Sequence, residues 1–282
     1  MTTSPPSALA DRALAAASDA LVVDPSPALV RGIVGVVADD DRSDPDASID
    51  VGAPSRVRLL CTVESADAAF DDFLTATAAV DARSADRLAV RTASDLGASL
   101  TVADGTVRAH VSLDGDGSTD RSSGGFATGD EEPLCTAVED AYGARWRDAD
   151  EYALDVPGRT TIIESFAERW PDAGETLVDL FDVAETLPRT GAFDPVTACT
   201  LVGARHGLLT MHIGEWAEEI GLTSRTEVAR AKARLIETGL VETEREPVGV
   251  GRPRHRLVLA SDEPTDLTGA ELLARGRAAL CE

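Results

Sequence analysis

In the last third of the chain, the hydrophobic residues have helical spacing in two successive segments and then alternate with polar residues. Segment 211–222 carries apolar side chains on one face and glutamates opposite, which predicts a short amphipathic helix. A second helix is predicted over 225–240, because Thr223 and Ser224 before it are capping residues. Two alternating segments around a glycine-rich turn then predict a hairpin over 241–259. The residues expected to be buried are Ile213, Trp216, Ala217 and Ile220 in the first helix and Val228, Ala231, Leu235 and Ile236 in the second.

With another helix beginning near Asp194, the order of three helices and a hairpin is typical of a winged helix-turn-helix domain. The second helix of such a motif fits a DNA major groove, and the wing lies along the backbone. Arginines near the start of that helix can bind guanine or phosphate, and the sequence leaves both open. His255 is expected to pack rather than to touch DNA. The predicted DNA contacts are Thr223, Ser224, Arg225, Thr226, Arg230, Arg252, Arg254 and Arg256.

The first half of the chain alternates short apolar runs with helical patterns. This repetition predicts a small α/β sheet domain, and the fold class is therefore α/β or α+β with a C-terminal winged helix. A glycine- and serine-rich segment, 115–129, is too polar to pack and is expected to be a loop. The expected helices are 8–20, 28–38, 66–82 and 131–148, and the expected strands are 21–23, 57–62, 87–93 and a hairpin over 99–113.

These elements group into four predicted segments, with Pro157-Gly158 marking the main boundary. They are an effector or sensor domain at 8–156, a helical linker or dimerisation segment at 157–190, the winged helix at 191–262 and a tail helix at 263–282. The polar residues Asp24, Ser26, Glu64 and Ser65 follow strands, where α/β proteins commonly bind ligands. Helix capping explains the same residues equally well, so no effector site is assigned.

Charge separates the winged helix from the rest of the chain, which has a net charge of −24 from 26 basic and 50 acidic residues. Within 224–256 there are eight basic and five acidic residues, a local charge of +3, which leaves −27 elsewhere. DNA phosphates are therefore expected to bind only at the surface formed by 224–256, because the rest of the chain repels them. Lys232 is the single lysine, so 25 of the 26 basic residues are arginine. An acidic, lysine-poor composition favours a high-salt cytoplasm, although GC-rich coding would also favour arginine.

Several classes of protein are disfavoured by the sequence. No apolar run approaches the ~20 residues that span a bilayer, and no secretory signal is evident at the N-terminus, so a cytoplasmic location is expected. The four cysteines form no CxxC pair and the four histidines share no metal-ligand spacing, so we expect neither metal nor cofactor. No phosphate-binding loop occurs, and no catalytic triad can be assembled.

Several segments in this order resemble the TbsP-type transcriptional regulators of haloarchaea. They are LVVDPSP, VRLLCTVESADAAFDDFLTATAAVD, RLAVRTASDLGASLTVADGTVRAHV and VGVGRPRHRLVL, and the resemblance runs from about Leu21 to Ala260. It implies a DNA-binding regulator of central carbon metabolism genes that works alongside TrmB-type sugar-responsive regulators. It also implies an N-terminal domain similar to the phospholipase-D-like effector domain of TrmB proteins.

Two other functions compete with a DNA-binding regulator. Phospholipase-D chemistry needs a His-x-Lys pair, but Ser112 stands two residues after His110 and Lys232 lies in the predicted DNA helix, so this enzyme class is excluded. An interaction adaptor with a winged helix that does not touch DNA stays open. In a salty cytoplasm phosphate contacts alone bind weakly, so we expect a homodimer on a pseudo-palindromic promoter site. The sequence leaves the operator, the sign of regulation and any effector undetermined.

Overall fold

The computed structural model describes residues 6–15, 17–38, 54–113, 123–186, 194–246, 254–260, 264 and 266–280. The chain divides into two compact units, Met1–Asp155 and Val156–Glu282. The first is built around a mixed sheet and the second is mainly helical with a short hairpin, which confirms the predicted fold class. In the described part of the chain, no helix combines the length and the apolar character needed to cross a membrane.

The first unit contains five helices and seven strands among its described residues. In chain order they are α1 (Pro6–Ala13), β1 (Asp19–Val23), α2 (Pro27–Ala38), β2 (Arg56–Cys61), α3 (Val63–Phe70), α4 (Phe73–Ser84), β3 (Leu88–Thr92), β4 (Leu100–Ala103), β5 (Thr106–Leu113), β6 (Ser123–Gly129), α5 (Glu132–Asp148) and β7 (Asp150–Glu151).

The strands form one sheet in the order β6-β5-β4-β1-β2-β3-β7. Strands β1, β2 and β3 are parallel, and the other neighbours are antiparallel. Helical segments connect the parallel strands, which is the βαβ arrangement that parallel pairing requires. Helix α5 contributes Cys135 to a buried cluster that joins β1, β2, β4 and β5. Burial raises the pKa of the Cys61 thiol to about 12, so this cysteine behaves as a core residue.

Two helix predictions for this unit are wrong in their boundaries. The helix expected over 8–20 ends at Ala13, and residues 19 and 20 belong to β1. The helix expected over 66–82 is two helices separated at Asp71 and Asp72. The Asp72 carboxylate accepts a hydrogen bond from the Thr75 amide at 3.0 Å, so it caps a new helix and ends the old one. The apolar residues of α3 and α4 continue one helical spacing across this break, and for this reason the sequence predicted a single helix.

Strand β6 occupies part of the segment that was predicted to be a loop. Its backbone pairs with β5 from Ser123 opposite Leu113 to Gly129 opposite Val107. The Phe126 ring meets the His110 ring edge-on with 5.1 Å between centroids. Pairing across the sheet therefore overcomes a sequence with low intrinsic strand preference. The predicted loop residues at 115–122 lie outside the described residues.

His110 is held within the sheet by two hydroxyl groups. Its ring nitrogens lie 2.9 Å from the Ser99 Oγ and 2.9 Å from the Thr101 Oγ1. Burial lowers the pKa of His110 to about 4, so the ring is neutral at pH 7. These bonds give it a structural role between β4 and β5.

The second unit contains six helices and a two-stranded hairpin among its described residues. They are α6 (Arg159–Arg169), α7 (Pro171–Thr186), α8 (Pro195–Arg205), α9 (Thr210–Glu219), α10 (Arg225–Glu237), β8 (Val241–Glu246), β9 (Arg254–Leu259) and α11 (Gly269–Leu280). The helices expected over 211–222 and 225–240 are thus observed as α9 and α10 with shorter C-terminal ends.

Trp216 of α9 lies at the centre of this unit and is 2% exposed. Its ring meets Phe166 edge-on at 4.9 Å between centroids, and its indole N–H donates to the Ser165 Oγ at 3.1 Å. Helix α11 begins where the Gly269 amide donates to the Asp179 carboxylate of α7 at 2.8 Å. Helices α6, α7 and α11 therefore form a packed support for the helix-turn-helix pair.

Candidate nucleic-acid interface

The turn between α9 and α10 is built by backbone conformation and a side-chain cap. Gly221 has φ of +72°, the left-handed conformation that ends a helix at low steric cost. Ser224 then caps α10, since its Oγ accepts a hydrogen bond from the Glu227 amide at 3.3 Å. Gly214 allows α9 to approach the start of α10 closely, because a Cβ added at Gly214 would lie 3.3 Å from the Arg225 Cγ.

Helix α10 has one buried face and one exposed face. Val228, Ala231 and Leu235 are buried as predicted, but Ile236 is 39% exposed. Ile236 lies about 100° around the helix from Leu235, which takes the core position. The exposed residues at the start of the helix are Ser224, Arg225, Thr226, Ala229 and Arg230, and Thr223 before them is half-buried.

Both arginines predicted to contact DNA from α10 form ion pairs within the chain. The Arg225 Nε donates to the Glu218 Oε2 at 2.7 Å, and its Nη1 lies 3.7 Å from the Glu215 Oε1. Arg230 pairs with Glu227, one turn before it. The sequence reasoning missed these pairs, although the spacing of three residues between Glu227 and Arg230 is a recognisable signal.

The hairpin formed by β8 and β9 is the wing. A short bridge between Leu209 and Arg256 adds the third strand that is typical of a winged helix. In the strand register Arg256 is opposite Glu244, and Arg254 is opposite Glu246. The Arg256 Nη1 also donates to the Gly207 carbonyl at 3.1 Å. Arg256 therefore anchors the wing to the loop after α8.

The other face of the wing carries Arg245 opposite His255. Both residues are exposed, so the prediction that His255 is a packing residue is wrong. The same face continues along β9 into Leu257, which is buried against the helices. Sequence reasoning did not select Arg245 because the register of the two strands was unknown. The predicted contact Arg252 lies outside the described residues.

At the strand ends of the first unit, the polar side chains form internal hydrogen bonds. The Ser26 Oγ accepts from the Leu29 amide at 3.3 Å, and the Ser65 hydroxyl donates to the Pro25 carbonyl at 2.6 Å. The Thr62 Oγ1 caps α3 by accepting from the Ser65 amide at 3.2 Å. These bonds belong to helix caps and turns. Among the described residues, no group of three or more His, Cys, Asp or Glu is arranged to hold a metal ion.

Comparison with known families covers both units. Residues 3–157 match the family described as transcriptional regulator TbsP-like, N-terminal, and residues 159–277 match transcriptional regulator TbsP-like, C-terminal HTH domain. The chain belongs to the TbsP-like transcriptional regulators. This membership confirms the resemblance at the level of the family and identifies the second unit as the helix-turn-helix domain of a transcriptional regulator.

Two further comparisons add little to the TbsP-like assignment. Curated proteins give no match. The solved structure of TrmBL2, an archaeal chromatin protein with a novel mode of DNA binding, is 14% identical with a TM-score of 0.33. The match covers 52% of this chain and 50% of that chain, so this chain spans about half the length of TrmBL2.

Proposed function

We propose that this TbsP-like regulator binds specific duplex DNA through α10 and the wing. The observation that carries the proposal is the exposed start of α10, where two hydroxyls and two arginines surround a helix N-terminus. Helix N-terminal amides and hydroxyls bind phosphate, and arginines reach base edges when the helix enters a major groove. The buried face of the same helix is anchored by Val228 and Leu235, so the exposed face is held in one orientation.

The proposed contacts follow from this placement. Thr223 and Ser224 hold a phosphate, Arg225 and Arg230 reach guanine or phosphate, and Thr226 lies between them. Arg252, Arg254 and Arg256 were predicted as wing contacts, and we add Arg245 with His255 beside it. The positive charge of Arg245 is opposite a histidine, whereas Arg254 and Arg256 are each opposite a glutamate. Arg245 is therefore the described wing residue best suited to a phosphate.

The biological setting is a further part of the proposal. We propose a haloarchaeal regulator of central carbon metabolism genes that acts in the cytoplasm, alongside a TrmB-type regulator, as a homodimer. The resemblance stated above supports the target genes, and the acidic, arginine-rich composition supports a high-salt cell. The first unit is proposed as a non-catalytic effector domain of the phospholipase-D-like type.

Selection of bound sequences from a random duplex library tests the proposed function directly. The full chain should enrich one motif that contains two half-sites related by a dyad, with centres one helical turn apart, about 10 base pairs. Enrichment of a single half-site, bound by one protomer in analytical ultracentrifugation, would contradict the homodimer. No enrichment at any salt concentration would contradict DNA binding.

An interaction adaptor is the second candidate, and one observation favours it. The α10 arginines are paired with carboxylates, and the wing places glutamates opposite two of its arginines. Such a mixed surface also fits a protein partner with alternating charges. Under this alternative the chain enriches no duplex motif in the selection experiment.

The wing provides a prediction with an internal control. Arg245→Ala should weaken binding to the selected duplex by about fivefold and lower the salt slope by ~1, as expected for one lost phosphate contact. Arg254→Ala removes the same charge from the neighbouring register position and should change affinity by about twofold or less, because an acidic residue is its register partner in the hairpin. Fluorescence anisotropy titrations at several salt concentrations measure both. A larger effect at Arg254 than at Arg245 would reverse the assignment of the wing face.

A further inference from the structure

The exposed start of α10 carries carboxylates together with its arginines. Glu218, on α9, is bonded to the Arg225 Nε at 2.7 Å, and Glu227, in the first turn of α10, is paired with Arg230. The side chains of Arg225 and Arg230 are 59% and 69% exposed, and those of Glu218 and Glu227 are 52% and 46% exposed. Exposed pairs of this kind are weakly held, so DNA can compete for either arginine.

The carboxylates oppose the binding of a phosphate to either arginine more strongly than the binding of a guanine. A phosphate that binds either arginine brings a full negative charge close to the carboxylate already there, and the two anions repel each other. A guanine presents the neutral acceptors O6 and N7, which need the two outer nitrogens of the guanidinium fork. Because Glu218 bonds the Nε of Arg225, it can keep this bond when the outer nitrogens turn to a base, although the Nη1 then leaves the Glu215 carboxylate, which lies 3.7 Å away.

Glu227 also acts on the helix N-terminus itself. Its backbone amide already donates to the Ser224 Oγ, and its carboxylate is in the first turn, where an anion is stabilised by the helix dipole. A DNA phosphate held by the hydroxyls and amides at the start of α10 therefore also meets the negative charge of Glu227, which weakens this sequence-independent contact. The ion pair with Glu227 also opposes the binding of Arg230 to phosphates of the DNA backbone.

From these contacts we infer that Glu218 and Glu227 are specificity-determining residues that suppress binding to unrelated DNA more strongly than binding to the target site. The inference rests on the proposed DNA-binding function and adds a role for two acidic residues. Their repulsion opposes the sequence-independent phosphate attraction, which supplies nearly all non-specific affinity. At the target site, base contacts made by Arg225 and Arg230 compensate for that repulsion.

Glu219, the last residue of α9, is a matched control. It follows Glu218 directly on α9, but its carboxylate pairs with Arg169 of α6 at 3.1 Å. Changing Glu219 to glutamine removes the same charge as changing Glu218, without altering the partners of Arg225 or Arg230. Any general effect of net charge on DNA affinity therefore appears in Glu219→Gln as well.

The test compares Glu218→Gln, Glu227→Gln and Glu219→Gln in the full chain by fluorescence anisotropy. Each is titrated with the selected duplex and with a scrambled duplex of equal length and composition, over a range of salt. Glu218→Gln and Glu227→Gln should raise affinity for the scrambled duplex about fivefold to tenfold and for the selected duplex about twofold or less, and each should steepen the scrambled-duplex salt slope by ~1. Glu219→Gln should change both affinities by about twofold or less.

The outcomes separate this inference from the proposed function. Equal gains on both duplexes, or gains matched by Glu219→Gln, overturn the specificity role while leaving DNA binding intact. Loss of affinity for the selected duplex in Glu218→Gln also overturns it, because it shows that the carboxylate only positions Arg225. If the unchanged chain binds neither duplex at any salt concentration, the proposed function fails and the inference fails with it. Circular dichroism of each variant verifies the fold.

Discussion

Replacing Arg225 and Arg230 together with alanine is expected to lower affinity for the selected duplex by about 100-fold or more. Each bidentate arginine–guanine contact contributes about 1–3 kcal/mol of discrimination, and the two arginines lie five residues apart on α10, about 1.4 helical turns, where both are exposed. Both side chains are more than half exposed, so their removal leaves the buried face of the helix unchanged. Anisotropy titration at one fixed salt concentration measures the loss.

Arg234 supplies the control for this double variant. It lies on the same helix and is exposed, but its guanidinium bonds the carboxylate of Asp194, the N-cap residue of α8, at 3.1 Å. Arg234→Ala removes a charge one turn further along α10 than Arg230, at a residue that was not predicted to contact DNA, and affinity should fall by about threefold or less. If the double variant retains the affinity of the unchanged chain, then α10 does not read the duplex and the adaptor alternative gains support.

Replacing Trp216 with alanine is expected to destabilise the helix-turn-helix unit by about 3–5 kcal/mol. The side chain is 2% exposed and packs edge-on against Phe166, and its indole N–H is bonded to Ser165. Truncation removes the largest fully buried side chain among the described residues and leaves a cavity between α6 and α9. Urea denaturation followed by circular dichroism at 222 nm should show an earlier midpoint for the helical transition.

Two smaller substitutions divide this loss between packing and hydrogen bonding. Ser165→Ala removes the acceptor alone and should cost about 1 kcal/mol, while Trp216→Phe keeps a ring but loses the N–H and part of the volume. We expect Ser165→Ala to be the most stable of the three variants, Trp216→Phe to be intermediate and Trp216→Ala to be the least stable. A midpoint for Trp216→Ala within error of the unchanged chain would show that Trp216 is not part of the core.

The helix-turn-helix unit could be predicted from sequence because its signals are local. Helical spacing of Ile213, Trp216 and Ala217, the left-handed break at Gly221 and the serine cap at Ser224 all act within a few residues of one another. These three residues are buried in the structure, whereas Ile220, which was also expected to be buried, is half-buried. The α/β character of the first unit was also recognisable, since short apolar strands alternate with helices.

The errors concern residues whose state depends on distant partners. The segment that forms β6 has too few apolar residues to predict a strand, and it becomes one by pairing with β5. The helix over 66–82 was expected to be continuous because its apolar spacing continues past Asp72, whose carboxylate starts a new helix. In the wing, alternation showed that Arg254 and Arg256 share a face, but not that Glu244 and Glu246 oppose them.

Local order along the chain was therefore enough to establish the alternating α/β pattern, the helix-turn-helix and the exposed start of α10. Periodicity, caps and turns are properties of neighbouring residues, and they can be recognised without knowledge of the rest of the fold. The strand register, the anchoring of Arg256 and the pairing of Arg225 with Glu218 emerged only when separate elements were folded together. Contacts between side chains on different elements depend on backbone placement, which no local pattern specifies.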